Sequence, residues 1–210
     1  MNKSIAHNKY KHKCNICNNE FDSFESFSYK SKSFSKYIKT LQMVDSDFKN
    51  FECKYCNSID RERHLFLYFD KFKFWEKIKN GKVLHFAPKK NLKKAIINIQ
   101  KEVHTSGYTL ANLYPDKNQQ IEQIDATNMP FPNESFTFIL FNHMLEHIVN
   151  YKEALSEIFR VLQNEGIAIL QTPYSQLLKH NFEDPNVISK EHRRIIYGQD
   201  DHVRVFSCFC

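Results

Sequence analysis

Four cysteines stand in two C-x-x-C pairs, Cys14/Cys17 and Cys53/Cys56, with 35 residues between them. A C-x-x-C turn aims two sulfurs at one point, and two such turns supply the four thiolates of a tetrahedral zinc site. The N-terminal stretch has no apolar run of the kind a secretion signal carries, so a disulfide framework is not expected. With every position filled by protein such an ion is structural, standing in for the core that so short a segment cannot build, the alternatives being redox dithiols or unligated cysteines. Cys208 and Cys210 have no comparable partners and receive no role.

A second constellation, His143-Met144-Leu145-Glu146-His147, reads H-x-x-E-H. On a helix this pattern places two histidines on one face for zinc and a glutamate to activate water, the inverted zinc-protease arrangement. Here it follows an apolar strand-like run directly, and no downstream ligand stands out, so the protease reading is not favoured. Glu146 and His147 are instead candidates for a general base at a cleft. The polar run 197–204, which holds His202 and Arg204, reads by itself as a solvated loop.

The elements that must position these groups follow from periodicity. Leu65, Tyr68, Phe69 and Phe72, continued by Trp75 and Ile78, trace one helical face from Asp60 to the stop signal Asn80-Gly81. After Gly81, apolar strands at 82–87, 107–113, 121–125, 136–141 and 167–170 alternate with helical stripes at 92–99 and 155–162. Such alternation predicts a doubly wound, mostly parallel α/β sheet. Segment 20–52, rich in Phe, Ser and Lys, reads as a loop or hairpin closed by the metal. The expected organisation is a four-cysteine zinc-binding, zinc-ribbon-like module at 1–59, a linking helix at 60–80 and a Rossmann-like domain at 81–210.

Ligands of open α/β sheets bind beyond the carboxyl ends of the strands. Those positions hold His85, Phe86, Ala87 and Pro88; Asn112 and Leu113; Asp125, Ala126 and Thr127; then Asn142 and His143. The chain has only 4 glycines and neither G-x-G-x-x-G nor a phosphate-binding Gly-Lys-Ser/Thr loop, which argues against a pyrophosphate or triphosphate ligand and leaves a nucleoside compatible.

At 210 residues, 41% hydrophobic and 14% aromatic, the chain can bury a real core, which excludes a disordered chain. No apolar run reaches the roughly 18–20 residues of a membrane span, so no membrane partner is expected and a cytoplasmic location is the default. Residues 1–80 hold 16 Lys+Arg against 10 Asp+Glu, so the whole formal excess of +6 lies there. That admits nucleic acid as a partner without favouring it over a solvated, lysine-rich surface.

Segments RERH at 61–64, VLHFAP at 83–88, DATNMPFPNESF at 125–136, NHMLEHI at 142–148, EIFRVL at 157–162 and YGQDDHVRV at 197–205 resemble, in order and spacing, the class I S-adenosylmethionine-dependent methyltransferases, in particular a bacterial group with an N-terminal zinc-binding segment. The resemblance implies adenosylmethionine lying across the strand ends, with 85–88 beside its methionine part, residue 112 at the ribose, Asp125 near the adenine amino group, and Asn142 and His143 beside the sulfonium and an unidentified methyl acceptor. It also implies a substrate-side lid at 197–204, in which His202 accepts a proton and Arg204 binds an anion. Asn112 replaces the family's usual acid, and Gln163-Asn164-Glu165-Gly166 replaces its Lys-Pro-Gly-Gly turn. The chain stops before the family's last two antiparallel strands. The alternative expectation is therefore a catalytically impaired homologue acting as a zinc-dependent nucleic-acid- or protein-binding module.

Overall fold

Each cysteine pair is followed directly by an asparagine, a residue that enters the left-handed region at little cost, and both do so: Asn18 has φ 60° and Asn57 φ 58°. In this computed structural model, which describes residues 11–27, 38, 40–104, 107–116 and 120–208, the two turns share one hydrogen-bond pattern. Asn18 N donates to Cys14 O and Asn57 N to Cys53 O, both at 2.8 Å; Cys14 N donates to Asn19 O and Cys53 N to Ser58 O, both at 3.0 Å. The first turn closes the hairpin of β1 (His12–Lys13) and β2 (Glu20–Phe21). The second is flanked by the isolated bridge between Glu52 and Ile59.

These turns belong to a compact unit formed by the described residues of Met1–Lys30 and Ser46–Phe74. Its buried cluster is small: Cys14, Phe21 and Cys53, with Ile16, Cys17, Phe24 and Cys56 packed against them. Helix α1 (Asp60–Lys71) buries Leu65 and Phe69, whereas Tyr68 and Phe72 of the predicted stripe stay about half exposed. The single helix expected over 60–80 is broken, because Lys73 takes φ 56° and a second helix, α2 (Phe74–Asn80), starts beyond it. Arg63 lies buried on α1 and donates to the carbonyls of Asn50, Phe51 and Ser58 at 2.5, 3.1 and 2.6 Å, with Phe24 under its guanidinium at 4.0 Å.

The second unit comprises the described residues of Ser31–Asp45 and Trp75–Cys210, a division that differs from borders at 59/60 and 80/81. In this unit β3 (Met43–Val44) pairs antiparallel with β9 (Tyr174–Ser175), and β10 (Phe206–Ser207) pairs parallel with β9 on the other side. The stretch 20–52 is thus not one loop of the cysteine module. No sequence signal marks these two-residue strands, which are too short for periodicity to register.

The main sheet contains β4 (Val83–Phe86), β5 (Tyr108–Asn112), β6 (Glu122–Gln123), β7 (Phe136–Asn142) and β8 (Leu162–Gln171), in the order β6-β5-β4-β7-β8 and all parallel. This is the Rossmann-like order, with the chain reversing direction of travel at β4. Val83, Leu84, Phe86, Ile139, Leu140 and Phe141 are fully buried, as strands covered on both faces require. Helices α3 (Lys90–Glu102) and α4 (Tyr151–Val161) lay apolar stripes against the sheet, Leu92 and Ile96 from one and Ala154, Ile158 and Val161 from the other. A further helix, α5 (Lys190–Tyr197), is capped by Ser189, whose side chain accepts from His192 N. Phe136 pairs with Leu162 but Phe138 with Ile167, so residues 163–166 form a bulge. Its left-handed residue is Glu165, at φ 60°, while a Cβ on Gly166 would lie 2.7 Å from Leu162 Cδ1; the glycine is there for close approach.

Candidate functional site

In the cysteine unit the four Sγ atoms lie within 4.8 Å of one another. Cys14 and Cys56 are 3.7 Å apart, and Cys17 and Cys53 3.8 Å. A tetrahedron with zinc–sulfur bonds of about 2.3 Å has edges of about 3.8 Å, which these two pairs match, so the donor set is of the kind and spacing that suits zinc. Ser58 Oγ approaches Cys56 Sγ at 3.1 Å, and Asn19 Nδ2 donates to Cys17 Sγ at 3.3 Å. Burial pushes the thiols up, to about 12 at Cys56 and upward also at Cys53; at Cys14 the backbone N–H groups of Cys17 and Ile16 outweigh burial and bring it to about 7. Ion binding at such a site displaces the remaining protons.

The second region lies at the carboxyl ends of β4 to β8. At the end of β4, Ala87 takes φ 45° and donates its N–H to Ala111 O at 3.0 Å, which draws the chain into a sharp turn before Pro88. A non-glycine residue in that region is strained, and strain of this kind gathers where a site needs a particular backbone path. Phe86 is buried in the core cluster. His85 is buried as well, its Nδ1 2.7 Å from the Tyr108 hydroxyl; burial, with Lys93 nearby, depresses it to about 3, so it is a neutral imidazole. Its contact is therefore within the sheet layer rather than at the strand ends.

Asn112 ends β5 half-buried, its Oδ1 accepting from Tyr114 N at 3.4 Å, and Leu113 beside it is partly exposed. Asp125 is exposed and uses one oxygen, Oδ1, to accept from Thr127 N and Thr127 Oγ1, both at 2.8 Å. The following loop is held by α4: Glu157 Oε2 accepts from Met129 N at 2.7 Å, while Arg160 donates to Met129 O and Phe131 O at 3.0 and 2.7 Å. Ala126, between these groups, is buried. At the ends of β7 and β8, Asn142 and Gln171 are register partners, and Asn142 Oδ1 and Gln171 Oε1 are buried with no protein partner among the described residues.

After Asn142 the chain turns through His143, at φ 55°, and residues 145–147 form a turn rather than a helix; α4 starts only at Tyr151. The helix face that a zinc-protease reading of H-x-x-E-H requires is thus not formed. Glu146 is almost fully buried, with Oε1 3.5 Å from His143 Nδ1 and Oε2 accepting from Thr172 Oγ1 at 3.1 Å. Burial raises its carboxyl, but the His143 hydrogen bond and its own backbone N–H outweigh that and hold it below the usual glutamate range. His202 is buried against His147, ring centroids 4.7 Å apart and edge to face, and burial with the neighbouring His147 lowers it.

Arg204, expected to bind an anion, has another task. Its buried guanidinium donates to the carbonyls of Leu145 and Val149, both at 2.7 Å, to that of Ile148, and to Glu183 Oε2 at 2.8 Å. Tyr151 lies 4.4 Å beneath it. These four bonds tie it to the turn after β7, which it braces. The same holds for the backbone of Val203, which donates to Glu146 O at 2.9 Å.

The structure brings together Asn142, His143, Glu146, His147 and His202, and carries Ala87, Asn112 and Asp125 at the ends of neighbouring strands. Sequence reasoning missed Tyr108, Gln171, Thr172 and Asp201, whose parts depend on cross-strand register and on a loop returning from beyond α5. The segments RERH and YGQDDHVRV hold the only sequence signal for the buried Arg63 and for Asp201.

Residues 102–170 match the family model of a methyltransferase domain. No curated protein matches the chain. Solved structures similar to it include a candidate methyltransferase of Bacillus halodurans, 24% identical over 47% of this chain and 44% of that one, with a TM-score of 0.35. The YcgJ protein of Bacillus subtilis is 18% identical over 69% and 63% of the two chains, at a TM-score of 0.38. A SAM-dependent methyltransferase of Thermotoga maritima is 16% identical over 69% and 74%, at 0.34. The chain spans less than half the length of the first of these. Among the described residues no helix is long and apolar enough to cross a membrane.

Proposed function

We propose that the chain binds S-adenosylmethionine across the carboxyl ends of β4 to β7 and transfers its methyl group to an acceptor held beside Asn142 and His143, while the four cysteines hold a structural zinc. The observation that carries this reading is the convergence, in a sheet of Rossmann-like order, of the left-handed turns at Ala87 and His143 with Asn112 and Asp125 at the ends of four neighbouring strands.

The residues fit that cofactor. Asp125 keeps Oδ2 as an acceptor for an adenine amino group once Oδ1 is committed to Thr127, and the buried Asn142 Oδ1 is a polar atom in want of a donor. Bound there, the cofactor supplies a sulfonium methyl that is already activated, so the chain's task is alignment and exclusion of water. Ala87 shapes the backbone around one end of the ligand, Asn112 offers an amide to the ribose, and the Arg204-braced turn fixes His143 and Glu146 on the acceptor side. The neutral Asn112 supplies hydrogen bonds without the charge-assisted part, which lowers affinity by about 1 kcal/mol or more.

Calorimetric titration of the zinc-loaded protein with adenosylmethionine and adenosylhomocysteine tests this. The expectation is binding that weakens about tenfold in Asp125→Ala and tightens about tenfold in Asn112→Asp, about 1.4 kcal/mol each way. A folded protein that binds neither compound overturns the proposal.

A further inference from the structure

We propose that Glu146, His147 and His202 form a second metal centre, a divalent-cation site of one carboxylate and two imidazoles, distinct from the four-cysteine centre. Their ligand atoms lie within 4.8 Å of one another. In a filled site with bonds of about 2.0–2.2 Å the ligands stand about 3–3.5 Å apart, so side-chain rotations that move each atom by about an ångström close it.

Three further observations point to a cation rather than to a simple hydrogen-bonded cluster. First, His202 is 5% exposed, and its Nε2 is buried with no partner among the described residues. A buried ring nitrogen left so is unfavourable, and a metal ion is the partner that the neighbouring donors describe. Second, the groups behind the ligands are those that orient metal-binding side chains: Asp201 Oδ2 lies 3.3 Å from His147 Nδ1, and Thr172 Oγ1 donates to Glu146 Oε2 at 3.1 Å. With Asp201 on Nδ1, the nitrogen left to His147 for a cation is Nε2. Third, the two stretches that bring the ligands together are locked by backbone: Val203 N donates to Glu146 O at 2.9 Å, and Arg204 to the carbonyls of Leu145, Ile148 and Val149. His202 is thereby held over Glu146 whether or not an ion is present.

His147 is 31% and Asp201 63% exposed, so an ion enters from solvent. One carboxylate and two imidazoles suit Mn²⁺, Fe²⁺ or Zn²⁺ and leave coordination positions open, whereas the cysteine tetrad leaves none. Taken with the methyl-transfer reading above, on which this one clause rests, the open positions fit an oxygen acceptor, whose proton a bound cation makes easier to remove.

The test uses the full chain with its cysteine centre loaded with zinc and excess metal removed. Mn²⁺ is then titrated in, and the free ion is read by its paramagnetic resonance. One Mn²⁺ per chain is expected, weakened at least tenfold in Glu146→Gln and in His202→Gln, and several-fold in the exposed variant Asp201→Asn, which leaves the buried core intact. Co²⁺ added to the same zinc-loaded protein is expected to show ligand-field bands without thiolate charge transfer. No bound Mn²⁺ or Co²⁺ in the folded protein, or equal binding by wild type and all three variants, overturns the site. Adenosylmethionine binding without metal binding overturns this inference alone; metal binding without adenosylmethionine binding leaves the cation site standing and removes the methyl-transfer reading.

Discussion

The cysteine unit and the strand-end region of the sheet unit solve local problems with the same parts. Each bends the chain through left-handed non-glycine residues, Asn18 and Asn57 in one, Ala87 and His143 in the other. Each spends a buried arginine on a fan of carbonyls, Arg63 or Arg204. They differ in what the bends present. The cysteine turns are near copies of one another and aim four like donors at one point, over a buried cluster of only Cys14, Phe21 and Cys53. The strand ends are unlike one another and leave polar atoms buried without partners, above a far larger core that includes Leu84, Phe86, Ile139 and Phe141. A thin core must place its stability in a ligand that closes it, whereas a thick one tolerates unsatisfied groups at its rim, where a ligand can use them.

The largest effect comes from the cysteines. Cys53→Ser, or a strong zinc chelator, is expected to unfold the described residues of 11–27 and 46–74, because ion binding of this kind supplies on the order of 10 kcal/mol to a small domain. Hydrogen exchange read segment by segment checks it: protection should vanish around Cys14 and Cys53 and persist in β4 and β7. Equal loss in both units would break the comparison, since the sheet would then depend on the ion as well.

The two arginines give the next effect. Arg63→Met and Arg204→Met each leave three carbonyls without their donor, and each is expected to cost about 3 kcal/mol, more than an exposed ion pair is worth. The consequences should diverge. Arg63→Met is expected to raise the rate of zinc loss to a chelator, since its carbonyl partners Asn50, Phe51 and Ser58 flank the second cysteine turn. Arg204→Met is expected to leave that rate unchanged and to loosen the turn that carries Glu146. A chelation rate raised equally by both would mean that neither arginine acts locally.

How much of this was legible in the sequence follows the same divide. The cysteine centre was readable because two turns of one pattern carry their own geometry within a few residues each. The parallel sheet was readable from apolar runs such as 136–141, and so was the place of the strand ends that follow them, though nothing in the sequence marked Ala87 or His143 as left-handed. What escaped depends on distant pairing. Met43 and Val44 join Tyr174 and Ser175 through strands of two residues, for which no period exists. Lys73 breaks the helix over 60–80 although the apolar stripe runs straight across it, because periodicity registers the buried face and not the backbone angle. Arg204 and His202 carried polar types that suit chemistry, but which of them reaches a carbonyl fan and which faces Glu146 is decided by a return of the chain 59 residues beyond Leu145.

The smallest effect concerns His85, a candidate ligand-binding residue in the sequence, which is buried with its Nδ1 2.7 Å from the Tyr108 hydroxyl. His85 is buried and held to about 3, below the ordinary value of 6.5, so the unfolded chain takes up a proton that the folded chain refuses. Its contribution to stability is therefore complete above about pH 6.5 and is lost progressively as pH falls from there towards 3, at up to about 1.4 kcal/mol per pH unit. His202, lowered in the same direction, adds to the slope. The variant His85→Asn keeps a polar partner for the Tyr108 hydroxyl and cannot take up the proton, so the difference between the two proteins isolates His85. Urea midpoints for β4 and β7, followed by hydrogen exchange between pH 7 and 4.5 with the zinc site loaded, should fall more steeply in wild type than in His85→Asn. Parallel profiles would mean that His85 reaches water or a ligand-side acid, and it would then return to the strand-end site rather than to the layer beneath it.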